Sequence, residues 1–171
     1  MEQVGAAVAR EASAYGVDVL LGTPNTNIQR DPRNGRLFES FSEDPYLSSR
    51  MAPAMVRGVQ ASVAADVKHF AANNQETLRQ GIDEQISERA LREIYLPGFE
   101  AAVKEGGAAT VMSAYNSING VPCAQNRWLL TDVLKREWGF DGQVVSDWGA
   151  VYDQAEALRA GNDMDMPGPR G

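Results

Sequence analysis

Short apolar runs alternate along the chain with segments whose apolar residues recur every three or four positions. The runs are 17–22 (VDVLLG), 66–70 (DVKHF, led in by SVAA), 110–114 (TVMSA) and 143–146 (QVVS). Each is brief and valine-rich, as expected of strands buried on both faces of a parallel sheet. The opening MEQVGAAVAREASAYG reads as a helix. Asp44 and Pro45 offer an N-cap and a first-turn proline, after which Leu47, Met51, Met55 and Val59 form a stripe. Pro53 inside that stripe predicts a kink or an early break. Ser87 caps the next helix, with Ala90, Leu91, Ile94 and Tyr95 on its apolar face, Gly106 and Gly107 as its stop, and Pro97 as an irregularity. Another helix begins near Arg127, places Leu130, Val133, Leu134 and Trp138 on one side and ends at Gly139. A last one, about 151–160, ends at Gly161. Strand–helix alternation with crossover-length connections implies an α/β fold with a parallel sheet. It comprises four units, with DMDMP opening a fifth strand, and no linker divides the chain.

Composition narrows the chemistry. The 171 residues carry 16 Lys and Arg against 23 Asp and Glu, a formal charge of −7, which argues against nucleic acid as a partner. No run of 18 apolar residues exists to cross a membrane. Cys123 has no cysteine to pair with, and His69 is the sole histidine, so the usual zinc constellations are ruled out. No glycine-rich loop follows a strand, which ranks a phosphate-binding enzyme last; no cofactor or metal is expected. The N-terminal helix lacks the basic and apolar regions of a signal peptide, and the compartment stays open. Any chemistry must rest on carboxylates, amides and aromatics.

In parallel α/β sheets such groups gather where strands end. The first strand runs into Asn25, Asn27 and the stretch RDPRNGR; the second ends in Lys68 and His69, then Asn73, Asn74, Gln75 and Glu76. Tyr115, Asn116 and Asn119 follow the third, and the fourth closes on Ser146, Asp147 and Trp148. This inventory suits a polyol: amides and cations for hydroxyls, an aromatic for the C–H face of a sugar. Each residue also has a plainer explanation. Asp147 could cap the next helix. RDPRNGR could be a solvated turn, strand alternation would send one of Lys68 and His69 inward whatever its role, and Cys123 could be an inert filler.

Read in order, the motifs resemble glycoside hydrolase family 3, a group of retaining β-glucosidases, β-xylosidases and related exo-acting enzymes. The matching strings are RDPRNGRLFESFSEDPYL (30–47), KHFAANNQE with Arg79 after it, SERALREIYLPGFEAAVKEG (87–106), VMSAYNSINGVPCAQN (111–126), LLTDVL and REWGFDG, VVSDWGA (144–150) and AGNDMDMPG (160–168). The resemblance implies a partial (β/α)8 barrel of TIM type with about four to five units. It also implies an Asp nucleophile, Asp147, that forms a covalent glycosyl-enzyme intermediate. Arg36, Lys68 and His69 then hold hydroxyls of the terminal sugar, Met112 and Tyr115 line the same subsite, and Trp148 is the aromatic beside the nucleophile. Arg79 matches a position of supportive role. A cation and a tyrosine hydroxyl near Asp147 should lower its pKa.

The family's N-acetylglucosaminidase branch carries KHFPGHG; KHFAANNQE has no second histidine, so that branch does not fit. Retention needs a second carboxylate about 5–5.5 Å from the first. In the branch resembled here, that acid/base is a glutamate of a C-terminal α/β sandwich domain, expected to be absent from residues 1–171, as is an early-barrel aspartate that binds sugar. Glu39, Glu43 and Glu76 are the in-chain alternatives, and nothing in the sequence selects one. The expected partner is a β-glucoside or other β-glycoside. An incomplete barrel exposes strand edges, which implies completion by further segments or self-association. The alternative to catalysis is a sugar-binding half barrel without turnover.

Overall fold

Valine placement builds the central sheet. The computed structural model describes residues 1–22 and 24–168, with strands β1 (Val19–Leu20), β2 (Ala64–Phe70), β3 (Asp83–Glu84), β4 (Thr110–Ser113), β5 (Ser117–Ile118), β6 (Val121–Pro122) and β7 (Gln143–Ser146). The main sheet has the order β1-β2-β4-β7, every pair parallel. Spatial order follows chain order, as in a barrel wall; a doubly wound sheet would reverse at a switch point. Val67, Val111 and Val144 stand in register across three strands and are fully buried in the core. The segment DMDMP pairs as the next strand: Met164 bridges Val145 in parallel, and Ser146 N–H donates to its carbonyl at 2.8 Å. β1 is shorter than the sequence predicts, but its ladder resumes beyond a break, where Thr26 N–H donates to Lys68 O at 2.8 Å.

Helices α1 (Glu2–Ala14), α2 (Pro45–Val59), α3 (Glu88–Ala90), α4 (Pro97–Lys104) and α5 (Gln154–Ala160) accompany the strands. The Asp44 carboxylate caps α2 by accepting from Tyr46 N–H at 2.8 Å. α2 does not break early at Pro53 but continues to Val59. Burial of Ala52, Met55, Val56 and Val59 outweighs one lost hydrogen bond, whose cost with the ring clash is about 3 kcal/mol. Gly5 lets α1 cross α2 closely, since a Cβ there would lie 2.7 Å from Met55 O. Pro97 does disturb its helix: the turn Leu91–Tyr95 is π-wound, with Leu96 N–H donating to Leu91 O at 2.8 Å. A proline cannot donate to the carbonyl four residues back, and the wider turn accommodates it. The helix Trp128–Glu137 is π-wound as well, and the sequence carries no sign of that. α5 starts three residues later than expected because Asp153 is its cap, accepting from Glu156 N–H at 2.9 Å.

β3, β5 and β6 form a small ribbon that the sequence does not announce. Asn119 ties it down, donating to Ile86 O at 2.8 Å and accepting from Ile86 N–H at 3.0 Å. Among the described residues no helix is long and apolar enough to cross a membrane.

Candidate active site

Asp147 follows β7 at the C-terminal end of the sheet. Its backbone N–H donates to Ser113 O at 3.0 Å, which fixes it beside β4, and it is only 7% exposed. Oδ1 accepts from Trp148 N–H at 2.8 Å; Oδ2 lies 3.3 Å from Arg79 Nη2 and 3.5 Å from His69 Nε2. Burial pushes the Asp147 pKa above the usual carboxylate value, although Trp148 N–H, Arg79, Arg36 and Lys68 all pull it down. That corrects the expectation of a lowered pKa: desolvation outweighs the cations. The Tyr115 hydroxyl donates to the Trp148 carbonyl while lying beside the Asp147 carboxylate. Burial, with Asp147 next to it, raises the Tyr115 pKa, so it stays a phenol.

Lys68 and His69 both reach the site, although strict alternation allows only one. The register of β2 against β4 runs from Val67↔Val111 to Phe70↔Ser113, three residues against two. The extra residue is a bulge. Val67 and Phe70 can both enter the core, and the two residues between them face the site. Phe70 is anchored there by rings at 5.1 Å (Phe99) and 5.7 Å (Trp138).

Arg36 comes from the loop after β1. Its Nε and Nη2 donate to the two oxygens of Glu39 at 2.7 Å each, and its Nη1 lies 3.0 Å from His69 Nε2. Guanidinium N–H groups only donate, so Nε2 of His69 is the acceptor. Burial first, then Arg36, Lys68 and Arg79, drive the His69 pKa well down. The imidazole is therefore neutral, and its contact with Asp147 is no ion pair. Lys68 Nζ reaches the same Glu39 at 3.4 Å.

Met112 pairs with Val145 on β7 and is 3% exposed. Val145 and Asp147 share a face by the two-residue period, so Met112 floors the site one layer beneath the carboxylate. Trp148 is 38% exposed at the mouth.

Arg79 is the residue the sequence underrated. Besides its contact with Asp147, it stacks over the Tyr115 ring at 4.6 Å and pairs with Glu76 at 3.3 Å. It sits ten residues past His69 in a turn-forming stretch, where no periodicity marks it out. The amides are less free than the sequence suggests: Asn74 donates to Ile28 O at 2.5 Å and Asn116 to Ala71 O at 3.1 Å, so both serve the loops. The three glutamates left as alternative acids are now separated. Arg36 and Lys68 hold the Glu39 carboxyl below its usual pKa, Glu76 pairs with Arg79, and Glu43 lies exposed on the surface. A groove of about 550 Å³ at the opposite end of the sheet, lined by Gly16, Asp18, Gln60 and Ala64 among others, has no comparable charged cluster.

Comparisons with known proteins identify the family. Residues 1–169 match the model of the glycosyl hydrolase family 3 N-terminal domain. A thermostable beta-glucosidase B of Acetivibrio thermocellus is 55% identical over all of this chain and 23% of its own length. An exo-alpha-(1->6)-L-arabinopyranosidase of Bifidobacterium longum is also 55% identical, over 98% of this chain and 22% of its own. The structure of beta-glucosidase 3B from Thermotoga neapolitana in complex with glucose superposes with a TM-score of 0.95 at 58% identity, over 98% of this chain and 23% of that one. The chain thus spans less than a quarter of the length of these relatives.

Proposed function

This chain belongs to glycoside hydrolase family 3, and from that footing we propose that it is the nucleophile-bearing part of a retaining, exo-acting β-glycosidase, in the first instance a β-glucosidase. The observation that carries the reading is Asp147: a carboxylate almost wholly buried at a strand end, with one oxygen tied to the Trp148 N–H and the other turned to Arg79 and His69. Asp147 attacks the anomeric carbon of the terminal sugar; the C1–O bond breaks, and its electron pair leaves with the aglycone oxygen, which takes a proton from a general acid. Water then cleaves the glycosyl ester and restores the carboxylate. Arg36, Lys68 and Arg79 surround the sugar hydroxyls with donors, and His69, whose Nε2 accepts from Arg36, fixes one of them. Charge-assisted bonds of this kind can strengthen as the oxocarbenium-like transition state forms. Met112 floors the subsite, Tyr115 holds the Trp148 backbone, and the Trp148 ring offers a face to the sugar.

We place the general acid on a segment outside residues 1–171. Glu39 and Glu76 are committed to cations, and Asp66, though its pKa is pushed up to about 7, has no exposed surface from which to reach a leaving group. The same commitment favours the second reading, a sugar-binding half barrel that does not turn over by itself. The glycone stays within the proposal, since glucosidase and arabinopyranosidase relatives are equally similar.

A 2-deoxy-2-fluoro aryl β-glucoside with a good leaving group tests the reading, because it needs no acid. Incubation followed by peptide mass mapping should place the label on Asp147 and none on the Asp147→Asn chain. Sugar binding without label would leave only the second reading.

A further inference from the structure

We propose that Glu39 is the positioning residue of the glycone site, a carboxylate that holds Arg36 and Lys68 away from Asp147 so that their donors stay aimed at the sugar. The inference rests on the glycosidase reading above. Its starting point is a crowding of cations: Arg36, Lys68 and Arg79 all exert an attraction on the Asp147 carboxylate. Long cationic side chains beside one buried anion should close on it. They would mask the nucleophile and use up the donors that hydroxyls need.

The structure contains a competitor for two of them. Glu39 takes Arg36 in a two-pronged fork, 2.7 Å at each oxygen, and receives Lys68 at 3.4 Å on the second oxygen. The fork fixes the guanidinium plane and leaves Nη1 to lie against His69 Nε2 at 3.0 Å. The glutamate side chain is only 19% exposed, and Lys68 only 12%, so water screens these contacts weakly. Arg79 has its own counterion in Glu76 at 3.3 Å. Each cation is thereby matched by a carboxylate other than the nucleophile. The spacing is local: Glu39 and Arg36 are three residues apart, Arg36 just before the single turn Leu37–Glu39 and Glu39 at its end.

Charge arithmetic makes the role testable by pH as well as by binding. The groups facing Asp147 are Arg36, Lys68 and Arg79, with neutral His69, the phenol of Tyr115 and the buried Asp66 acid; those facing Glu39 are Arg36 and Lys68. Removing the Glu39 charge leaves Arg36 drawn to Asp147 and, less strongly, to Glu76, and frees Lys68 of the carboxylate that competes with Asp147 for it. Asp147 then keeps its charge to lower pH, a change that loosened packing does not produce.

The experiment follows Asp147 labelling of the 171-residue chain by 2,4-dinitrophenyl 2-deoxy-2-fluoro-β-D-glucoside as a function of probe concentration and pH. In Glu39→Gln the probe concentration for half-maximal labelling should rise about 10- to 100-fold, the scale expected when positioning is lost, and the acid limb of the pH profile should move to lower pH. Glu39→Asp keeps the charge but is too short to hold both cations; its limb should stay where the parent's lies while half-saturation still rises. Parent-like half-saturation and limb in Glu39→Gln, or a limb moved to higher pH, would overturn the role of Glu39 alone. An unlabelled parent would overturn the glycosidase reading, and this inference with it.

Discussion

Arg79 Nη2 lies 3.3 Å from Asp147 Oδ2. The same guanidinium stacks over the Tyr115 ring and pairs with Glu76, so it is held from three sides. An opposite charge at this distance favours the ionised carboxylate, and burial opposes it.

Arg79→Gln removes that cation and leaves burial unopposed on this side. The Asp147 pKa should rise further, so labelling should need more alkaline solution, with the acid limb shifted by about one unit or more. The pH profile of labelling by the fluorinated glucoside measures this. A profile unchanged from the parent would mean that the contact carries no electrostatic weight.

Asp66 on β2 is wholly buried; Oδ1 accepts from Thr110 Oγ1 at 2.7 Å and Oδ2 has no partner. Desolvation raises its pKa from about 3.8 to about 7. The folded state therefore binds a proton that the unfolded chain releases between those values. Stability should fall as pH rises from about 4 to 7, by about 1.4 kcal/mol per unit of pKa difference at most. Asp66→Asn should flatten this slope and unfold at higher urea concentration than the parent at pH 8. Equal urea midpoints across the range would contradict the buried acid.

Phe70→Ala should cost about 3–5 kcal/mol, read from urea unfolding followed by tryptophan fluorescence. The ring has no exposed surface and packs on Phe99 and Trp138. A loss below about 1 kcal/mol would mean that the core closes over the gap.

Much of this is legible in the sequence, for reasons that differ by element. β7 matches its valine run residue for residue, since a strand buried on both faces has little to confuse it. Caps such as Asp44 and Ser87 could be read because they act on neighbours within three residues. The carboxylate and the lysine–histidine pair stand at strand ends, while their roles and that of Arg36 rest on the motif resemblance; Asp147 and Arg36 both touch His69, and Lys68 reaches the glutamate that holds Arg36. What escaped depends on long-range pairing. Arg79 reaches Asp147 across 68 residues, and the π-winding of Trp128–Glu137 has no mark in the sequence, whereas that of Leu91–Tyr95 accompanies a proline that the sequence shows. The Asp147 pKa runs against the sequence-based expectation because neighbours can be counted from a sequence, whereas loss of water cannot.

The odd residue in β2 gives that strand a property of length rather than of composition. With two side chains between its anchors, the strand seats an aliphatic and an aromatic group among the helices and delivers an ammonium and an imidazole to the same cleft. Deleting Lys68 or His69 would leave one residue between Val67 and Phe70, restore ordinary pleating with both anchors inside, and cost the cleft either its ammonium or its imidazole. A substitution at 68 or 69 therefore changes one group and leaves the strand's course alone, while a deletion there removes the bulge itself and lets the cleft keep only one of the two side chains.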